Sequence, residues 1–304
     1  MRVFITGGTG LVGRRLVARL LERNDQPVIL SRNSVQAHAR LGHDVEIVEG
    51  DPTSAGDWVQ AVGSCGAVVN LAGENIFARR WNDEFKNRIR ESRVLATKHV
   101  VAAIGRAASK PTVLVNASAI GYYGPHADEE LTEESAAGGD FLAEACVEWE
   151  SAARAVESTS VRLVIVRIGV VLSTEDGALA KMLPFFRSFV GGPVGNGRQW
   201  MAWVHLDDLV GIVLHAIDHT NVSGVINATS PEPVTNREFS KALGRALGRP
   251  SFLPVPVFGL RVRFGQVAEV IASGQRVLPK RTQELGYQFQ HSKIDGALAD
   301  LLKR

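Results

Sequence analysis

Long apolar runs are missing from this chain of 304 residues. Nothing in it approaches the about 18 consecutive apolar residues that span a bilayer, so no membrane helix is expected. The first residues enter an apolar strand directly, and no secretory leader is read there. Cysteine is scarce, with Cys65 and Cys146 the whole complement. Two thiols argue against a disulfide scaffold and fit a reducing cytoplasm. No Cys/His cluster has zinc-ligand spacing, and no metal is expected. Neither sign of charge dominates: 34 basic and 32 acidic residues leave +2. No basic stripe announces a nucleic acid. Repeats and low-complexity tracts are also absent. The length suffices for one large α/β domain, or for a domain with a small lobe.

What is present is concentrated near the start. Val3, Phe4 and Ile5 read as a buried parallel strand. Thr6 to Gly13 reads T-G-G-T-G-L-V-G, and Leu16, Val17, Leu20 and Leu21 then recur at helical spacing. Strand, glycine turn and helix opening is the context a dinucleotide fingerprint requires. Gly7 makes the turn, Gly10 admits a pyrophosphate to the backbone, and Gly13 lets the helix pack closely. The helix N-terminus offers unpaired N–H groups and a positive dipole end. Thr6, Gly7, Thr9, Gly10, Leu11, Val12 and Gly13 are therefore the expected phosphate-side contacts.

A second strand, Pro27 to Leu30, ends at Ser31-Arg32. NAD-preferring folds place an acid there against the ribose 2′-hydroxyl. Arg32 stands instead, and a guanidinium suits a 2′-phosphate, so NADP is expected, with Arg14 a second candidate for the same group. Asp51 closes a third strand and either meets an adenine amine or caps the next helix. Asn70-Leu71-Ala72-Gly73 closes a fourth, its small residues suited to lie beside a cofactor ribose, with Glu74 facing the cleft. Residues 82–107 read as a long helix carrying Arg88, Arg90 and Arg93. A fifth strand from Val113 leads to Ser118 and then Tyr122-Tyr123-Gly124.

These motifs resemble the extended short-chain dehydrogenase/reductase superfamily. The resemblance implies a Rossmann-type, doubly wound parallel α/β sheet and hydride chemistry on nucleotide sugars. It also implies a catalytic Ser with a Tyr and a Lys four residues apart. The Tyr/Lys pair is missing: four residues after Tyr122, Tyr123 and Tyr287 stand His126, Ala127 and His291. Anchored on Glu150, the pattern puts Leu142 and Cys146 at the two positions. Cys146 reads as a small, buried, neutral helix residue near the cofactor ribose. The chain is similar nearly end to end to the atypical "epimerase family" branch. The carriers are Asn70–Ile76, Arg80-Trp81-Asn82, Ser118–Gly124, Asp140–Glu144, Cys146–Glu150, Gly191 through Trp200 and His205–Asp208.

A sixth strand, Val161 to Ile168, ends near the expected nicotinamide position at Ile168. Arg198 and Trp200, with Arg93 and Tyr122, are candidate substrate-pocket residues. Asp207 is expected to cap a helix after His205, and Thr235 with Glu238 to form a capping box. Residues 1–250 read as the NADP-binding domain and 251–304 as a helical region walling the pocket. Two functions follow. One is an NADP-dependent oxidoreductase or epimerase whose proton chemistry comes from Ser118, Tyr123 or Glu74. The other is a degenerate NADPH-binding sensor or scaffold. A small-molecule substrate and a homodimer are the expected partners.

Overall fold

The computed structural model describes residues 1–303. Seven strands form one parallel sheet: β1 (Arg2–Thr6), β2 (Gln26–Ser31), β3 (Glu46–Glu49), β4 (Ala67–Asn70), β5 (Val113–Ala119), β6 (Arg162–Ile168) and β7 (Gly224–Ala228). Their order is β7-β6-β5-β4-β1-β2-β3. This is the doubly wound order, and the topological switch lies between β1 and β4. Side chains alternate along each strand into two separate cores. Val3, Ile5 and Val69 enter one layer with Leu16 and Val17 of α1 (Leu11–Glu22). Phe4 and Val68 enter the other with Val100 and Ile104 of α3 (Asp83–Arg106). Apolar residues on both faces are what a parallel sheet covered by helices demands.

Local signals set the helix ends. The Asn82 side chain accepts from Phe85 N–H and starts α3, as the reading of 82–107 expects. Asp140 does the same for α4 (Phe141–Arg154), which packs beside α3. Thr235 and Glu238 close the expected capping box ahead of α7 (Asn236–Leu247). One cap differs from expectation. At the start of α6 (Leu206–Asp218), the N-cap is His205, whose Nδ1 accepts from Asp207 N–H. Asp207 instead takes Arg15 of α1 at 2.6 Å, tying the two helices of one face together.

A third core joins α5 (Gly177–Arg187), α7 and α8 (Ile294–Lys303). Residues on both sides of position 250 thus share one apolar cluster, and the C-terminal region is packed onto the rest. Among the described residues, no helix is long and apolar enough to cross a membrane.

Candidate functional site

The glycine turn leaves β1 and enters α1 with no side chain capping the helix. Each glycine has a distinct neighbour. Gly7 has φ +68°, and a Cβ there would stand 2.6 Å from Leu71 O, so its bareness lets the β4 exit close on the turn. A Cβ on Gly13 would stand 2.4 Å from Gly7 O, so this residue serves helix packing against the turn itself. At Gly10 a Cβ would meet only Gly7 O, at 3.3 Å, and the backbone is extended (φ −76°, ψ 177°). Gly7 O would have to give by only a few tenths of an ångström to admit a Cβ there. The space kept open is at an uncapped helix N-terminus, where a phosphate fits. Leu11 and Val12 are partly buried against the α1-side core.

Arginines gather beside the turn. Thr9 O accepts from Arg14 at 3.3 Å and from Arg40 at 3.4 Å. Arg40 lies in α2 (Ser34–Leu41), which begins two residues after Arg32. Arg32 is exposed, and its charge helps hold the Asp51 carboxyl below its usual range. Burial raises that carboxyl, but the Thr53 hydroxyl and N–H outweigh it. Asp51 Oδ1 therefore caps its own turn, accepting from Thr53 N–H at 2.8 Å and Thr53 Oγ1 at 2.7 Å. The Ser31 hydroxyl is turned to Asn33, donating to its carbonyl at 3.1 Å. Arg40 is the residue sequence reasoning missed. Only the folding of α2 back onto Thr9 reveals it.

Two polar ladders cross the sheet where the strands end. Thr6, Asn70 and Asn116 are register partners on β1, β4 and β5. Thr6 Oγ1 donates to Asn70 Oδ1 (2.6 Å), and Asn70 Nδ2 donates to Thr97 Oγ1 (2.8 Å) and Asn116 Oδ1 (2.6 Å). Trp149 Nε1 donates to Thr97 from α4. The Thr6 side chain is fully buried, and its hydroxyl joins Asn70 and the Ala72 N–H at the β4 exit.

The second ladder pairs Ser118, Arg167 and Asn227 on β5, β6 and β7. Glu150 of α4 receives Arg167 through Nε (2.8 Å) and Nη2 (2.9 Å), and Ser118 Oγ at 2.7 Å. Arg167 Nη1 donates to Tyr123 Oη (3.0 Å), which donates to Asn227 Oδ1 (2.7 Å). Glu150 and Arg167 are 3% and 2% exposed, Ser118 is 1% and Tyr123 is 0%. Burial pushes the Tyr123 phenol up to about 12, against the pull of Arg167. The reading of Ser118 and Tyr123 as groups open to a substrate is thus corrected: both hydroxyls are engaged inside the protein.

Around this core lie the other candidates. Tyr122 is partly buried, with the Arg167 guanidinium 3.3 Å from its ring centroid. Cys146 Sγ lies 3.8 Å from Ala119 O, and burial, with Glu150 adding, pushes the thiol up to about 11. It is neutral near pH 7, as expected. Glu74 follows Gly73 and accepts from Arg88 at 3.0 Å, and Glu74 O accepts from Arg93 Nη2 at 2.9 Å. Leu71 and Ala72 line the Gly7 side. Ile168, partly buried, joins the α1-side core. Trp200 Nε1 donates to Asp128 (2.8 Å) and its ring meets Arg276. Exposed Arg198 shares a surface depression with Asp128, Thr235 and Arg237.

His205, His291 and Asp300 also approach one another. The imidazoles stack at 3.8 Å and 25°, so their in-plane lone pairs do not converge on one ion. His205 Nδ1 accepts an N–H, which leaves its proton on Nε2, 3.4 Å from Asp300. The cluster is a clasp for the C-terminal segment. Burial, then His291, lowers His205 to about 4, with Asp207, Asp208 and Asp300 opposing. A neutral buried imidazole stabilises the fold fully above about pH 6.5, and that stability is lost as pH falls toward 4. Urea unfolding between pH 7 and 5 should therefore weaken by up to about 1.4 kcal/mol per pH unit from this group. His205→Gln should flatten the slope, and an unchanged slope contradicts the assignment.

Residues 3–228 match the model of the NAD dependent epimerase/dehydratase family, and residues 255–301 match a domain of unknown function, DUF1731. The chain is 43% identical over 309 residues to an Arabidopsis thaliana chloroplastic homologue of epimerase family protein SDR39U1, covering 100% of this chain and 87% of that one. Its structure resembles the crystal structure of human epimerase family protein SDR39U1 with NADPH: TM-score 0.89, 35% identity, and 100% of both chains. A nucleoside-diphosphate sugar epimerase from Corynebacterium glutamicum gives TM-score 0.79 and 34% identity, over 99% of this chain and 58% of that one.

Proposed function

The chain belongs to the NAD dependent epimerase/dehydratase family, and on that premise we propose that it binds NADPH and performs oxidoreductase or epimerase chemistry on a nucleotide-sugar-like substrate. One observation carries the cofactor assignment. The uncapped N-terminus of α1 is kept open at Gly10, with Arg14 and Arg40 on the Thr9 carbonyl beside it and Arg32 at the end of β2. A pyrophosphate fits the N–H groups, and a 2′-phosphate fits the arginines. The human relative crystallised with NADPH supports the same cofactor, and the Corynebacterium relative's name supports the substrate class.

NADPH supplies a hydride when bound. The chain's own residues divide the remaining work. The two ladders fix the strand ends on which the cofactor would lie. With Ser118 and Tyr123 engaged internally, the partly buried Tyr122 and Glu74, which is paired with Arg88, are the candidates for acid–base work. The engaged hydroxyls favour a second reading, an NADPH-binding sensor without catalysis. Incubating the NADP-loaded protein with a panel of nucleotide sugars separates the two. Cofactor reduction or inversion of a sugar carbon, lost in Tyr122→Phe or Glu74→Gln, supports the enzyme. No turnover of any sugar supports the sensor. A cytoplasmic location belongs to this proposal, on the strength of two free, buried thiols.

The cofactor arm predicts a mutational pattern. Arg32→Ala and Arg40→Ala should each weaken NADPH, by roughly five- to a hundredfold for an arginine–phosphate pair worth about 1–3 kcal/mol. NADH affinity should barely change. Equal losses for both cofactors, read by fluorescence titration, would place the arginines away from the 2′-phosphate.

A further inference from the structure

Arg93 is a partly buried cation on α3. It projects from α3 between the β4 exit and α4, and among the described residues no carboxylate forms an ion pair with it. Its guanidinium is clamped. Nη1 donates to Ile89 O (2.9 Å), Nη2 donates to Glu74 O (2.9 Å), and the group lies 5.3 Å from the Trp149 ring centroid. Gly73 makes room: a Cβ there would stand 3.2 Å from Arg93 Cζ. Desolvation lowers its pKa, while Cys146 and Glu74 act the other way. Two carbonyls and one ring face leave part of the guanidinium's shell open, and a ligand can complete it.

The sheet order says which ligand atoms are near. The 2′-phosphate arginines lie at β2 and α2, on one side of β1. The pyrophosphate would sit at the N-terminus of α1. The other half of the dinucleotide must therefore run the opposite way along the sheet edge, over β4. Adjacent strands are about 4.8 Å apart, roughly one sugar's reach. The β4 exit at Gly73, with Arg93 packed on it, is the next feature the chain presents in that direction.

Resting on the NADPH reading above, we propose that Arg93 is a cofactor-binding residue that donates to the hydroxyls of the nicotinamide-side ribose. The guanidinium has five N–H donors in a fixed fork, and the two carbonyls use only two of them. A ribose diol supplies neutral acceptors of matching spacing, and a pre-clamped cation loses little freedom on engaging it. The same position keeps a positive charge beside Cys146, where α4 itself supplies none.

The test uses two probes. NADPH contains the nicotinamide-side ribose; adenosine 2′,5′-bisphosphate carries the adenine-side phosphates without it. Arg93→Met should weaken NADPH about tenfold or more and leave the bisphosphate within about twofold, by calorimetric titration of full-length protein. Unchanged NADPH affinity overturns the proposal, and so does an equal loss for both probes, which would mark a structural strut. If Arg93→Met fails to fold by circular dichroism, Arg93→Lys is read in the same assay. It keeps the charge and loses the fork, and a selective NADPH loss is expected again. Wild-type protein that binds neither probe defeats the NADPH reading itself, a result separate from either variant's.

Discussion

Gly10→Val protein should fold like the parent and lose NADPH. The extended backbone at Gly10 suits any residue, and the only protein atom a Cβ would crowd is Gly7 O at 3.3 Å. The added branch therefore fills space that the fold does not use and a pyrophosphate needs. Loss of the phosphate contacts should weaken binding at least a hundredfold, about 3 kcal/mol or more. Circular dichroism should match the parent, with a stability cost of about 1 kcal/mol, the scale of an N-cap replacement. Gly13→Ala is the contrasting control. Its Cβ would sit 2.4 Å from Gly7 O, and such overpacking costs about 1–3 kcal/mol of stability. A folded Gly10→Val protein with parental NADPH affinity would show that the turn holds no phosphate.

The other large effect is on stability. Glu150→Gln should destabilise the fold by about 3–5 kcal/mol, because Arg167 keeps its charge in a site 2% exposed and loses the carboxylate paired with it. The loss should be read by urea unfolding at pH 7. Glu150→Leu combined with Arg167→Met should recover most of it, since removing both charges removes the uncompensated one. A loss under about 1 kcal/mol in the single variant would mean that Arg167 finds another partner.

The same pair shows where the sequence is legible and where it is not. The glycine turn, the strand exits and the capping box are local devices, and their residues are contiguous. Each could be read because strand, turn and helix follow one another within a few positions. The ladders are different. Glu150, Arg167, Ser118, Tyr123 and Asn227 come from separate elements and meet only through the sheet register. Ser118 and Tyr123 carry chemistry-bearing groups, so a linear reading assigns them to the substrate. Burial reassigns them to the frame. Arg40 was invisible for the related reason that nothing in its neighbourhood distinguishes it from a solvated helix cation. Asp207 is the cap a linear reading expects, and His205 is the cap the structure has, because a histidine Nδ1 can replace the usual carboxylate or hydroxyl acceptor.

The central claim is that an acid-free β2 end, with arginines gathered around Thr9, makes this a site for the 2′-phosphorylated dinucleotide. Parallel calorimetric titrations of the unmodified protein with NADPH and NADH test it most directly. NADPH should bind roughly five- to a hundredfold more tightly. Equal dissociation constants for the two, or tighter NADH, would contradict it.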